Sequence, residues 1–195
     1  MPRTSGLKQT GIISQVPLLG FCAWGSGVGK TTLLANLIPI LIRHGLRVSV
    51  IKHAHHTFDI DHPGKDSYRL RQAGAAQMLL GSPRRWALMT ELSGDKEPEL
   101  QDLVLHLDAT LADLVLVEGF KQAAIPKIEV YRPSLGKPLW ADQDTQVKAI
   151  AADGVVNTTL PVLDLNNAAE VADFVRHWLK SQARPNPVVS LKKPP

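Results

Sequence analysis

Cysteine is nearly absent from this chain of 195 residues. Cys22 stands alone, so no internal disulfide can form, and its place in the apolar run Leu18 to Cys22 makes it a buried small hydrophobe suited to a reducing compartment. Long hydrophobic runs are missing too. No stretch approaches the roughly 20 apolar residues that cross a bilayer, and Met1 to Gln15 is polar rather than signal-like. The expectation is a cytoplasmic protein without a membrane partner. Charge of one sign is in short supply as well: 22 Lys and Arg face 18 Asp and Glu, a formal net charge of +4. Arg3, Lys8, Arg184, Lys192 and Lys193 lie in residues 1–16 and 182–195, which hold no acid, so taking these five from the 22 leaves 17 basic groups against 18 acidic ones between the ends. The body is thus nearly neutral, and no basic stripe argues for nucleic acid. The ends, rich in Pro, Ser and Lys, read as disordered tails over 1–16 and 182–195, flanking one domain over 17–181.

What the chain does have is concentrated near its start. Leu18 to Cys22 runs into a turn containing Gly25, Ser26, Gly27, Val28 and Gly29, after which Lys30, Thr31 and Thr32 open a second apolar run, Leu33 to Ile38. This is the strand, loop and helix of a phosphate-binding P-loop. Its glycines let backbone N–H groups turn onto phosphate oxygens, Lys30 can reach the terminal phosphates, and the Thr31 hydroxyl is placed for Mg2+. Residues 25–32 are therefore the candidate nucleotide site. One position departs from G-x-x-x-x-G-K-[ST]: counting back from Gly29 puts Trp24 where a small residue is expected. Either Trp24 occupies that corner, or the loop is one residue longer and Ala23 takes the small-residue role.

Downstream, Lys30 to His44 reads as a helix ending at Gly45, with Pro39 expected to kink or divide it. Leu46–Lys52 reads as a strand, and Lys65–Ala73 as a short helix capped by Asp66 or Ser67. Residues 75–80 and 86–90 form a hairpin or neighbouring strands. Leu100 to Leu111 reads as a helix, 114–117, 128–131, 147–152 and 160–163 as strands, and Ala168 to Lys180 as a final helix. Strands alternating with helices behind a P-loop predict an α/β fold, a mostly parallel sheet with helices on both faces.

Three further groups suggest chemistry. Glu118 ends the buried run Leu114 to Val117 and is favoured over Asp113 as the Walker B acid, with Gly119 able to bring its N–H to a γ-phosphate. Lys30 and Glu118 are thus the catalytic candidates, Thr31 and Glu118 the metal ligands. No Asn-Lys-x-Asp motif exists to read guanine, and Asp153, after a late strand, is the candidate acceptor for guanine N1 and N2. Finally, His53, His55, His56, Asp59, Asp61 and His62 form a loop that suits either a switch segment meeting nucleotide or pterin phosphates, or a metal site. Lys52, Lys65, Arg69 and Arg71 could serve that switch or simply face water.

Several blocks in one order resemble the molybdopterin-guanine dinucleotide biosynthesis adapter family, small GTP-binding proteins of the SIMIBI class. They are Ala23-Trp24 before the loop, Ile51 to His56, Pro63 to Tyr68, Arg85 to Glu91, Leu116 to Lys121 and Ala168 to Trp178. The resemblance spans about Leu18 to Leu179. It implies GTP and Mg2+ binding, weak GTPase activity, a homodimer, and a supporting role beside the guanylyltransferase that joins GMP to molybdopterin, with molybdopterin itself and other molybdenum-cofactor enzymes as further partners. Against the family pattern Ala-Trp-Ser-Gly-x-Gly-Lys-Thr, this loop carries one extra residue. A metallochaperone GTPase using residues 53–62, and a small-molecule kinase or ligase on the same scaffold, are the alternatives.

Overall fold

The structure is a computed structural model, and it describes residues 12–54, 58–92, 94 and 96–182. The chain divides into two compact units, residues 54–98 and the remainder. The larger unit holds a six-stranded, all-parallel sheet in the order β2-β5-β1-β6-β7-β8. Its strands are β1 (Leu18–Cys22), β2 (Val48–Lys52), β5 (Leu114–Glu118), β6 (Lys127–Tyr131), β7 (Val147–Ala152) and β8 (Val162–Asp164). Helices α1 (Lys30–Arg43) and α4 (Ala168–Ser181) cover one face, and α3 (Leu100–Leu105) the other. The expected α/β architecture is the one observed.

The central strands explain themselves. In β5 alternate side chains enter different cores: Leu114 and Leu116 pack with Leu37, Leu41 and Val175, whereas Val115 and Val117 pack with Ile51, Leu100 and Val104. A strand covered twice has no polar face, hence its unbroken apolar run. Val16, within the stretch expected to be a tail, is buried in the second core, and Ile13 N–H donates to Gln101 Oε1 at 2.8 Å. The rest of the expected tails, 1–11 and 183–195, lies outside the described residues.

Three local expectations need correction. Pro39 does not divide α1, which runs unbroken from Lys30 to Arg43. Proline deprives the Ala35 carbonyl of its helical donor, but Ala35 and Pro39 are both exposed, so water can satisfy that carbonyl while buried Leu37 and Leu41 hold the helix to the sheet. α1 then closes on Gly45 (φ 80°): Leu46 N–H bonds Leu41 C=O and Gly45 N–H bonds Ile42 C=O. The helix expected over 100–111 stops at Leu105, and residues 109–111 form a separate 3-10 turn. Asp108 causes the break, its carboxylate accepting from both the N–H and the hydroxyl of Thr110 at 2.8 and 2.7 Å.

In the smaller unit, α2 (Asp66–Gln72) starts after Lys65 with no side-chain cap, so neither Asp66 nor Ser67 plays that part; the buried Ser67 hydroxyl donates to Asp61 instead. β3 (Gln77–Gly81) and β4 (Trp86–Thr90) form an antiparallel hairpin. Arg71 braces this unit. Its side chain is only 10% exposed, with Nη1 and Nη2 on Asp59 at 2.9 and 2.8 Å and Nε 3.3 Å from Glu91. It is neither a free phosphate ligand nor a solvated charge.

Candidate functional site

All six strands of the larger sheet point the same way, so their carboxyl ends form one edge, where open α/β sheets bind ligands. β1 delivers the glycine loop to that edge and α1 leaves it. Gly27 (φ 74°) and Gly29 (φ 114°) supply the left-handed backbone the loop requires. Trp24 needs none: among the described residues, Phe120 is the non-glycine residue with positive φ. Trp24 therefore occupies the irregular corner, and Ala23 belongs to the hydrophobic core behind it.

Lys30, Thr31 and Thr32 form the first turn of α1. Lys30 Nζ donates to the Gly25 carbonyl at 2.7 Å, spanning the loop mouth. Burial lowers the Lys30 pKa, and the charge of Glu118 works in the other direction. Glu118 ends β5, which pairs with β1 so that Glu118 stands opposite Phe21. Thr31 Oγ1 donates to Glu118 Oε1 at 2.6 Å, and Lys52 Nζ, at the end of β2, lies 3.2 Å from Thr31 Oγ1 and 3.4 Å from Glu118 Oε2. Hydroxyl, carboxylate and ammonium thus meet beside the loop on the β5 and β2 side. A hydroxyl and a carboxylate in contact are a hard-oxygen donor pair that fits Mg2+. Asp113 is at the far edge, its carboxylate engaged by Arg47 at 2.7 Å.

Gly119, next after Glu118, has φ 98°, and a Cβ there would meet His53 Cβ at 2.7 Å. Its N–H donates to the Phe21 carbonyl at 3.3 Å. Phe120 stacks on His53 with ring centroids 4.7 Å apart, which fixes the start of the histidine loop. His55 and His56 lie outside the described residues. Among the described residues no group of three or more His, Cys, Asp or Glu side chains could hold a metal ion.

Sequence reasoning missed a second set. Trp24 packs edge-on to Trp140 at 5.2 Å, and Lys121 Nζ lies over both rings, 5.6 and 4.9 Å from their centroids. Trp140 is itself anchored from below. Buried Glu129 accepts from the N–H groups of Trp140 and Ala141 at 2.7 and 2.9 Å, and Asp144 accepts from Trp140 Nε1 at 3.1 Å and from buried Lys127 at 2.7 Å. Burial raises the Glu129 pKa against those two N–H bonds. Burial also works to raise that of Asp144, but bonds from Lys127, Gln146 and Trp140 win and lower it. Nearby Cys22 is pushed up to about 12, first by burial and then by the Glu129 charge, so it is an inert thiol. The other missed residue is Arg132, directly after β6: its Nε donates to the Val28 carbonyl at 2.8 Å and its Nη1 pairs with Asp153. Asp153 follows β7, two strands from β1. Position alone could have flagged Arg132, an arginine at the carboxyl end of a strand beside the loop.

Residues 18–153 match the family model described as molybdopterin guanine dinucleotide synthesis protein B. The chain is 48% identical over 170 residues to the molybdopterin-guanine dinucleotide biosynthesis adapter protein of Escherichia coli K12, covering 87% of this chain and 97% of that one. It is 48% identical over 166 residues to the protein of the same name from Haemophilus influenzae, covering 85% and 91%. A crystal structure of molybdopterin-guanine biosynthesis protein B superposes with a TM-score of 0.63 at 26% identity, over 83% of this chain and 99% of that one. The Bacillus subtilis MobB structure, at 22% identity and TM-score 0.63, shares the fold.

Proposed function

Because the chain belongs to the molybdopterin guanine dinucleotide synthesis protein B family, we propose that it is a GTP-binding adapter of molybdenum-cofactor biosynthesis, with weak GTPase activity, acting beside a molybdopterin guanylyltransferase. The observation that carries the reading is the meeting of Thr31, Glu118 and Lys52 beside a glycine loop spanned by Lys30. Thr31 and Glu118 would hold Mg2+, which supplies positive charge against the phosphates when bound. Lys30, now resting on the Gly25 carbonyl, adds a point charge at the terminal phosphates, and the loop N–H groups stabilise the charge of the transferring group; the Gly119 N–H, expected to reach a γ-phosphate, is instead bonded to the Phe21 carbonyl. None of these groups is a base that orients an attacking water, so turnover is slow.

The adapter reading makes a direct prediction. In a reconstituted reaction of guanylyltransferase, molybdopterin and limiting GTP, adding this chain raises the rate of dinucleotide formation, and adding its Lys30→Ala variant does not. No stimulation, or hydrolysis by the isolated chain at kinase-like rates of about 1–100 per second, would exclude an adapter role.

The hairpin supports the homodimer in this proposal. Leu79 and Leu88 are cross-strand partners on the same face as Trp86, with exposures of 63%, 46% and 69%. Contiguous apolar surface of this kind marks an interaction site, and a second copy of the chain is the proposed occupant. Light scattering is expected to show a dimer for the wild type and half that mass for Leu88→Asp, with unchanged circular dichroism; a monomeric wild type at tens of micromolar would refute it.

A further inference from the structure

Arg132 sits where one planar cation touches two parts of the nucleotide edge at once. Nε holds the Val28 carbonyl at 2.8 Å, Nη1 holds Asp153 Oδ2, and Nη2 lies 3.3 Å from where a Cβ on Gly29 would be. Val28 and Gly29 belong to the phosphate loop, whereas Asp153 directly follows β7. Rigid fork geometry lets an arginine bridge such groups in a way a lysine cannot.

The direction in which a nucleotide must lie gives this bridge a meaning. Thr31, Glu118 and Lys52 crowd the β5 and β2 side of β1, which marks the metal and terminal-phosphate end. The rest of the ligand therefore leaves the loop on the other side, over the ends of β6 and β7, where Arg132 and Asp153 stand. Asp153 Oδ1 accepts no hydrogen bond from the described residues, and a carboxylate has about four lone-pair sites, so Asp153 can keep Arg132 and still accept more. Guanine offers adjacent N1–H and N2–H donors to a carboxylate. Adenine has an acceptor at N1 and no amine at C2.

We infer that Arg132 is the positioning residue that fixes Asp153 for a guanine base and ties that contact to the backbone of the phosphate loop. The inference rests on the GTP-binding reading and deepens it. A base that engages Asp153 steadies the Arg132 fork, and the fork steadies the Val28 carbonyl. Discrimination between purines is then felt at the phosphates.

The test is calorimetric titration of wild type, Arg132→Met, Arg132→Lys and Asp153→Asn with magnesium complexes of GDP, ADP and XDP. Wild type is expected to prefer GDP to ADP. Arg132→Met should lose about 10-fold to 100-fold in GDP affinity, the scale of hydrogen bonds to a charged group, while ADP affinity changes little, so the ratio collapses; Arg132→Lys should recover only part of it. Asp153→Asn, nearly isosteric, should shift preference from GDP to XDP, because an amide N–H suits the xanthine C2 carbonyl. Equal losses for GDP and ADP in Arg132→Met would make Arg132 a mere brace of the loop and overturn the inference, as would an Asp153→Asn variant that still prefers GDP. Wild type binding no nucleotide at all would instead remove the underlying GTP reading.

Discussion

Lys30→Ala is expected to cripple magnesium-GTP binding, raising Kd by at least about 30-fold when wild type and variant are titrated side by side. Lys30 is half-buried at the loop mouth, and burial already lowers its pKa. A triphosphate adds negative charge to the single carboxylate of Glu118 nearby, so the half-buried ammonium gains more from the ligand than an exposed lysine would. Truncation leaves phosphate charge against the loop with that cation gone, and losing one partner of a desolvated charge pair costs about 2–5 kcal/mol or more, or roughly 30-fold to several thousand-fold. The folded state itself should tolerate the change. Lys30 opens α1, alanine is the best helix former, and the Gly25 carbonyl that Lys30 now holds is exposed and can turn to water. A variant with wild-type melting temperature and crippled binding therefore isolates the phosphate contact, whereas equal GTP affinity in both proteins would end the P-loop argument.

Gly119→Ala is expected to be the costliest single methyl added to this edge. The backbone at φ 98° is strained for any L side chain, and the new Cβ would lie 2.7 Å from His53 Cβ, far inside contact distance. His53 cannot simply turn away, because its Cβ is fixed by its backbone, whose N–H donates to the Glu118 carbonyl at 2.9 Å. Strain of this kind costs about 1–3 kcal/mol, and at about 2–4 °C per kcal/mol for a chain of this size thermal unfolding should fall by roughly 2–12 °C. The same displacement separates β2 from the end of β5 and moves Glu118 away from Thr31, so the magnesium dependence of GTP binding should weaken together with stability. A variant that melts with the wild type and keeps its magnesium dependence would show that this turn has slack the geometry does not reveal.

Much of this architecture was legible because its causes are local. The unbroken apolar run of β5 could only be a strand covered on both faces, and the glycine spacing before Lys30 leaves few other structures open to the backbone. Elements failed where side-chain contacts outvoted the backbone pattern. Proline at 39 breaks isolated helices, but here two buried leucines on either side of it hold the helix in place. Asp108 looked like one residue of a helix, yet its own bond to Thr110 ended the element early. The site divides in the same way. Lys30, Thr31 and Glu118 sit in recognisable strings, whereas Arg132, Lys121 and Trp140 act through contacts with Val28, Asp153, Trp24 and one another that join residues 19 to 116 positions apart in the chain, a relation no periodicity or spacing rule encodes.

Trp24 was the irregular letter in the phosphate-loop motif, and its surroundings turn that irregularity to use. An indole stands at the corner of the loop with a second indole 5.2 Å away and an ammonium over both faces. Indole emission responds to nearby charge and to neighbouring rings. The loop thus carries its own chromophore, and Lys121, three residues after Glu118, is a charge placed to shift its emission. Movement of the segment that follows β5 is written into light from the loop itself, with no label attached.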